Sequence, residues 1–377
     1  MPSNPLPSEP LAAIELFSGG GGLSLGLKSA GFQVAAAVEQ DASIAEVYRR
    51  NFGGGTALIE ADVRQLSGDD LRGNCRLAEA AQIALVAGGP PCQGFSTGGK
   101  HVAGDERNLL IFEFARLVAE LGPKAFLMEN VPGLLSTKHE KVLAKYMRHL
   151  TRAGYVVLSP VKVNSANFGV PQDRSRIFIA GFRHDVHSPQ ASRIFLESLQ
   201  QGRHIAVGEA LGIRTRDYEP DESRAKYYAA QLHALEKCLS HDPSVTHTDA
   251  STVIPQHSMI VRERFRRTQP GEREPVSRFQ RLSLEGLSPT LRSGTGPERG
   301  SFTPPRPIHP ISARVLTVRE AARLHSFPDT FRFADSQWHS WRAIGNAVPP
   351  LLASAVASGV RSALEWTRTA HGDRTAR

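Results

Sequence analysis

Cys92 stands in the stretch GGPPCQGFS, directly after the apolar run IALVA. Pro90 and Pro91 fix the backbone ahead of it, so the direction of the sulfur is set before any substrate arrives. A thiol held at a turn beside cations or a helix N-terminus becomes a strong nucleophile. A small buried cysteine is the commoner fate of a free thiol, but GGPP and QGFSTGG read as turn and loop rather than core. Downstream, KAFLMENVPG puts Glu129 and Asn130 at the end of another apolar run. On a neighbouring strand Glu129 comes beside Cys92, where its pKa rises and it can give up a proton to a substrate; alone, it would be a solvated strand-end acid. QDRSRIFIAGF sets Gln172, Arg174 and Arg176 on one side of a strand by alternation, with Ile177 and Ile179 on the other. Two arginines on one face suit a phosphate or a base oxygen, or else are solvated surface charges.

A second group of residues suits a small-molecule ligand. FSGGGGLSLGL, Phe17 to Leu27, is a glycine-rich turn between a first apolar run and a helical pattern. It is either a plain strand-helix turn or a place where backbone amides come close to a ligand. Glu39 ends the next apolar run about twenty residues on, the place from which a carboxylate holds ribose hydroxyls. The glycines do not fit GxGxxG, because Ser24 or Leu25 falls where the third is needed. A nucleoside cofactor without phosphates therefore fits better than a dinucleotide. Asp62, after the third run, either accepts from an adenine amino group or caps a turn.

These residues need elements to carry them. LAAIELF, FQVAAAVEQ, TALIEADV, IALVAGG and KAFLMENV read as strands, and GLSLGLKSAG, DASIAEVYRRNF and NLLIFEFARLVAEL as helices. The alternation continues to about residue 185 and predicts an α/β fold, a mostly parallel sheet with helices on both faces. Such sheets bind ligands at the carboxyl ends of their strands, where Glu39, Asp62, Cys92 and Glu129 all fall. From 186 to 313 the alternation lapses; between His257 and Gly300 there are nine arginines against five glutamates. That stretch reads as a smaller, loop-rich, basic unit. Order returns from 314 to 377 with RVLTVREAARLHSF and a packed helix over IGNAVPPLLASAVASGVRSALEW, before a frayed end from Trp366.

Hydrophobic content of 40% and charged content of 22% are those of a soluble globular chain, and 377 residues suffice for one large domain and a smaller one. The net charge of +8 is compatible with a nucleic-acid partner. Cys75, Cys92 and Cys238 are too few and too scattered for a disulfide framework or a zinc site, so no metal is expected. MPSNPLPSEP lacks a signal pattern and no run of eighteen apolar residues is apparent. The expectation is a cytoplasmic protein with no membrane partner.

FSGGGGLSLGL, VEQD, GGPPCQGFS, ENVPG, QDRSRIF, TVREAARLHSFPD and IGNAVPP occur in an order and spacing that resembles the bacterial DNA (cytosine-5)-methyltransferases. The likeness spans the chain apart from about 186–313, where this family keeps its target-recognition domain and only SPTLRSG can be matched. It implies a Rossmann-like S-adenosylmethionine-dependent methyltransferase fold acting on double-stranded DNA. Cys92 matches the nucleophile that adds to cytosine carbon 6, Glu129 the residue at ring nitrogen 3, and Arg176 the arginine on the base oxygen, with Arg174 and Gln172 in support. Phe17, Gly19, Gly21, Glu39, Asp62, Val63, Pro91, Leu110 and Asn346 match cofactor-pocket positions. Gln93, Ser96, Thr290 and Arg292 match or neighbour positions that meet DNA. The segment from Phe95 to Arg107 looks like a lid. The likeness further implies a monomer, either solitary or acting alongside a separate restriction endonuclease. Three readings compete: a transfer-RNA cytosine methyltransferase on the same scaffold, a DNA-binding regulator without activity and, more distantly, a nicotinamide oxidoreductase.

Overall fold

The five apolar runs of the first 130 residues become five parallel strands of one sheet. They are β1 (Leu11–Leu16), β2 (Phe32–Glu39), β3 (Ala57–Glu60), β4 (Leu85–Gly88) and β5 (Ala125–Asn130), side by side in the order β3-β2-β1-β4-β5. The computed structural model describes residues 11–75, 82–91, 110–200, 202, 204–241, 250–294 and 306–375. Helices α1 (Gly22–Ser29), α2 (Ala42–Phe52) and α4 (Leu110–Leu121) alternate with the strands as the spacing predicts, and a short helix the sequence reading did not name, α3 (Gly68–Asn74), joins them between β3 and β4. Asp41 caps α2 by accepting from the Ser43 and Ile44 amides, and Ser67 and Asp70 form a reciprocal cap on α3. The order reverses across β1 and β4, which opens a crevice at their carboxyl ends.

Beyond β5 come α5 (Glu140–Arg152), β6 (Tyr155–Val157), β7 (Val161–Asn164), β8 (Gln172–Asp173) and β9 (Ser175–Arg183). Strand β9 runs antiparallel to β5 and carries β6 and β7 antiparallel along its other edge. The sheet is thus mixed and mostly parallel, with helices, in agreement with the expected fold class. Alternation splits its side chains between two cores. Ile14, Leu16, Val86, Phe126, Met128, Ile177 and Ile179 face α4 and α5. Ala13, Leu85, Leu127, Phe178 and Phe182 face the opposite way, toward α1 and the C-terminal helix.

The remaining helices are α6 (Pro189–Ser198), α7 (Val207–Leu211), α8 (Glu222–Glu236), α9 (Met259–Arg267), α10 (Val318–Leu324), α11 (Gln337–Asn346) and α12 (Pro350–Thr375). The boundary expected at 186 is not where the main core ends. Ala191, Phe195 and Leu199 of the α6 region share a core with Val356, Ala357 and Val360 of α12. Tyr228 and Leu235 of α8 share one with Tyr48 and Phe52 of α2. What changes at 186 is the connection pattern, since among the described residues beyond it only the two-residue strand Ser288–Pro289 remains, while apolar helix faces go on adding to the same cores. A separate small cluster appears only later, around Phe265, Ile308 and Val315.

The C-terminal segment also differs from its reading. It is two helices, because Pro349 and Pro350 cannot continue α11, and α12 runs on to Thr375 through the stretch read as a frayed end. By length and composition the stretch Gln337–Thr369 could cross a membrane, but its most apolar window is 78% buried inside the fold. Gly26 of α1 fits against Ala353, where an added Cβ would come within 2.3 Å of the alanine side chain. This is the contact of an Ala-rich core helix.

Candidate active site

Strand pairing brings the acid of ENVPG to the turn that leads to Cys92. Gly88 and Met128 are register partners of β4 and β5, so Gly89 and Glu129 follow side by side. A Cβ on Gly89 would stand 3.0 Å from Glu129 Oε2, so the missing side chain makes room for the carboxyl group. Asn130 donates from Nδ2 to the Pro90 carbonyl at 3.2 Å and accepts the Val131 amide on Oδ1 at 2.9 Å. The Pro-Pro turn is thereby tied to the end of β5. Pro91 is its last described residue; Cys92, Gln93, Ser96 and the segment read as a lid lie outside the described residues.

Arg176 reaches Glu129 from β9, with Nε 2.8 Å from Oε1. Both side chains keep only 12% of their surface in contact with solvent. Burial raises the Glu129 pKa above the ordinary carboxylate range, while the charges of Arg176 and then Arg174 pull it back. The result is a carboxyl that holds its proton more readily than a free one, held in orientation by one arginine.

Arg174 does something else. The run QDRSRIF is broken into β8 and β9, with Arg174 at the break. Its side chain is 1% exposed and donates from Nη1 to the Leu291 carbonyl and from Nη2 to the Gly345 and Ala347 carbonyls, all at 2.9 Å. Those last two flank Asn346, whose own position is exposed at the end of α11. Gln172, fully buried, accepts the Leu291 amide at 3.1 Å and donates to the Leu324 carbonyl, with His325 Nδ1 3.0 Å away. His325 reaches the Ala347 carbonyl with its other ring nitrogen at 3.0 Å. Burial drives the His325 pKa well down, so the ring is neutral, and the Ala347 contact makes Nε2 the protonated nitrogen. Gln172, Arg174 and His325 therefore bolt three distant segments behind Arg176 without lining an open surface.

The segment matched as SPTLRSG is one of those three. Strand β10 (Ser288–Pro289) pairs in parallel with β8, and the Thr290 hydroxyl donates to the Asp173 carbonyl at 2.7 Å. Arg292 follows, exposed. It rests on Gly345, where a Cβ would lie 2.2 Å from the Ser293 nitrogen.

The expected cofactor residues converge at the glycine turn. Phe17 is half-buried with a left-handed φ of 58°, strained for any residue but glycine. Gly19 and Gly21 have φ of 56° and 96°; nothing stands within 4 Å of a Cβ on Gly19, whereas one on Gly21 would strike Phe52. Glu39 accepts the Gly19 amide on Oε2 and the Asp41 amide on Oε1, both at 2.8 Å. Burial raises its pKa. Each oxygen keeps a lone pair for an incoming hydroxyl. Asp62 caps the short turn Val63–Gln65 and pairs with Arg64 at 2.5 Å, which lowers its pKa. That is the capping arrangement weighed from the sequence. The Val63 side chain lies in the core and Leu110, which opens α4, packs at its edge.

One buried group at this turn escaped the motif reading. Glu15 of β1 is 1% exposed and accepts the Ser24 hydroxyl, which is 2.7 Å from the Tyr48 hydroxyl. Burial lifts its pKa to about 8. Two carboxyl groups, Glu15 and Glu39, thus flank the start of α1. A pyrophosphate would meet acids there, where dinucleotide sites offer bare amides, while a ribose diol meets acceptors.

Comparison with known proteins agrees with this geometry. Residues 11–362 match the family model for C-5 cytosine-specific DNA methylase. The Type II methyltransferase M.XorII of Xanthomonas oryzae pv. oryzae is 41% identical over 372 residues, covering 93% of this chain and 84% of the relative. M1.HphI of Haemophilus parahaemolyticus is 35% identical, covering 93% and 86%. A crystal structure from E. coli, assigned as a prophage-encoded DNA modification methyltransferase, superposes with a TM-score of 0.75 at 32% identity, covering 94% and 99%. The Schizosaccharomyces pombe Dnmt2 structure shares the fold at a TM-score of 0.59 and 18% identity, covering 94% and 99%. The chain belongs to the C-5 cytosine-specific DNA methylase family and is a DNA cytosine-5 methyltransferase.

Proposed function

We propose that the chain methylates carbon 5 of a cytosine turned out of duplex DNA, with Cys92 as nucleophile, Glu129 as proton-holding acid, Arg176 as anchor of the base and S-adenosylmethionine as methyl donor. The observation that carries this reading is the buried Glu129–Arg176 pair at the carboxyl ends of β5 and β9, beside the Pro90-Pro91 turn.

Carbon 5 of cytosine is a poor nucleophile. Addition of the Cys92 thiolate to carbon 6 forms a carbon–sulfur bond and pushes the ring electrons toward carbon 5. A proton shared between Glu129 and ring nitrogen 3 drains charge from the ring during that attack; the raised pKa of Glu129 suits this task. Arg176 holds the carboxyl group and has donors left for the base oxygen. Loss of the carbon 5 proton to a base and expulsion of the thiolate restore the aromatic ring and free the enzyme. Arg174 and Gln172 act through position, by fixing the strand that bears Arg176 and the turn that bears Asn346.

The residues at the glycine turn fit S-adenosylmethionine. Glu39 offers two acceptors to a ribose diol, Phe17 a ring for adenine, and Asp62 an acceptor for its amino group if Arg64 yields. Gly19, Gly21, Val63, Pro91, Leu110 and Asn346 complete the pocket. When bound, the cofactor supplies an electrophilic methyl group. Thr290, Arg292, Gln93 and Ser96 contact the DNA, and turning out the base costs a few kcal/mol that those contacts must offset. The expected second unit, 186–313, is best taken as a recognition region centred on the Phe265–Ile308–Val315 cluster. The Type II names of its relatives favour a restriction-modification setting with a separate endonuclease. We place the enzyme in the cytoplasm, as a monomer.

Methylation of plasmid DNA and of transfer RNA, followed by bisulfite sequencing, tests the proposal. Expected is 5-methylcytosine at one DNA motif, dependent on added S-adenosylmethionine. Transfer only to RNA would replace the substrate class.

A further inference from the structure

The recognition region carries a finger that none of the quoted sequence motifs includes. Residues 271–281 form a hairpin: the Arg281 amide bonds the Glu272 carbonyl, and the Glu274 amide the Phe279 carbonyl, each at 2.8 Å. Its tip is built from within. The Glu274 side chain, 1% exposed, accepts the Val276 amide at 3.1 Å and the Ser277 amide, and faces Arg264 of α9 at 3.6 Å. Above this buried acid, Val276 is 68% exposed and Arg278 is exposed with a left-handed φ of 62°. Glycine or asparagine would take that conformation more easily.

The base of the finger is equally fixed. Arg281 donates to the carbonyls of Phe265, Arg266, Thr268, Pro310 and Ile311 at 3.0–3.2 Å. From there Leu284 and Gly286 bond the start of α7, and Ser288 enters β10 beside β8, the short strand that directly precedes the one bearing Arg176. The tip is therefore held at a set place relative to Arg176, with no slack segment between. Several other arginines of the region are engaged: Arg266 and Arg267 pair with Glu263, and Arg314 with Glu320. Arg273 of the same hairpin is exposed like Arg278 but lacks its left-handed backbone. No partner for the Arg278 guanidinium is found among the described residues.

We infer that the hairpin tip enters a groove of the target duplex and that Arg278 reads a base edge there, with Val276 as its apolar neighbour. A phosphate contact needs only a mobile charge. A strained backbone that aims one guanidinium beside one exposed methyl-bearing side chain suits a bidentate contact to guanine next to a thymine methyl or base face. Arg278 is on this account a specificity-determining residue of the DNA methyltransferase reaction, on which the inference rests.

The test is methylation of a plasmid library with randomised sites, read by bisulfite sequencing, for the wild type, Arg278→Asn, Arg278→Gly and Val276→Ala. Asparagine and glycine both accept the left-handed backbone, so an unchanged or raised melting temperature reports an intact hairpin. Expected is a loss of roughly 10- to 100-fold in discrimination at one base pair in both Arg278 variants, with the rest of the motif and the salt dependence of binding kept. Unchanged stringency at every position would overturn the inference. So would a uniform loss of affinity for all sequences with a salt slope smaller by about one, the mark of a phosphate contact. A wild type that methylates no DNA would overturn the enzyme reading itself, an outcome visible before any variant is made.

Discussion

The sheet end that carries Glu129 and the hairpin that carries Arg278 solve one problem, holding a charged side chain in place, with opposite means. Around Glu129 the strands are backed by two apolar cores, and the carboxyl is oriented by its neighbour Arg176. Around Arg278 the apolar cluster is small, and the frame is polar: Arg281 on five carbonyls, Glu274 on two amides. A site for chemistry must exclude water and shift a pKa, so it is set in a core. A site for reading DNA must stand out into solvent, so its rigidity comes from hydrogen bonds that pre-shape a short loop.

Substitutions can break that contrast. The largest effect falls on Cys92→Ala: methyl transfer is abolished while DNA is still retained in a mobility-shift assay, and turnover in this variant would refute the nucleophile. Glu129→Gln comes next. It keeps shape but not the exchangeable proton, and single-turnover rates fall about 10²–10³-fold on every DNA alike. Its residual rate no longer shows the loss at high pH that deprotonation of Glu129 causes in the wild type, where burial sets that step above the usual carboxylate range. Arg281→Ala acts on the other region. It strips the α9 end of its donors and destabilises the recognition region by about 2–4 kcal/mol, seen as faster amide exchange at 265–268 and a raised KM for DNA with kcat retained. A lower kcat at saturating DNA would show that the two regions are not separable in this way.

The last effect leaves activity aside and lies in the pH dependence of stability. The folded chain holds the Glu15 proton to about pH 8, against a usual value of 4.5. Unfolding free energy therefore falls as pH rises from about 4.5 to about 8, by at most about 1.4 kcal/mol per pH unit for this group, and levels off above. Glu15→Gln removes that slope, and denaturant titrations at pH 5, 6 and 7 measure it. A variant whose slope equals the wild type's would show that Glu15 is not the group concerned.

The contrast also explains what the sequence made legible. The strands, the helices between them and the adjacency of Glu129 to the Cys92 turn follow from periodic apolar spacing and neighbouring strand order, both local signals. The role of Arg174 does not. Its acceptors lie at Leu291, Gly345 and Ala347, more than a hundred residues away; alternation put it on the side of Arg176, and the resemblance named it a supporting residue without the contacts through which it supports. Glu15 was passed over because a single acid inside an apolar run carries no motif. In the recognition region the shape of the hairpin depends on one buried carboxylate and one left-handed arginine, and neither leaves a pattern that a residue count of charges can detect. The reach of the main core beyond 186 was hidden for a related reason: helices α6 and α8 join it through scattered apolar residues, without the strand alternation that marked it earlier.

The central claim is that a sulfur anion at residue 92 bonds to a cytosine ring held by Glu129 and Arg176. Duplex DNA bearing 5-fluorocytosine at the mapped target, incubated with enzyme and S-adenosylmethionine, tests it most directly, since fluorine cannot leave carbon 5 as a proton does. Mass spectrometry is predicted to find a stable protein–DNA adduct on the peptide containing Cys92, absent in Cys92→Ala. No adduct with an enzyme that methylates the unfluorinated site, or an adduct on another residue, would contradict the account.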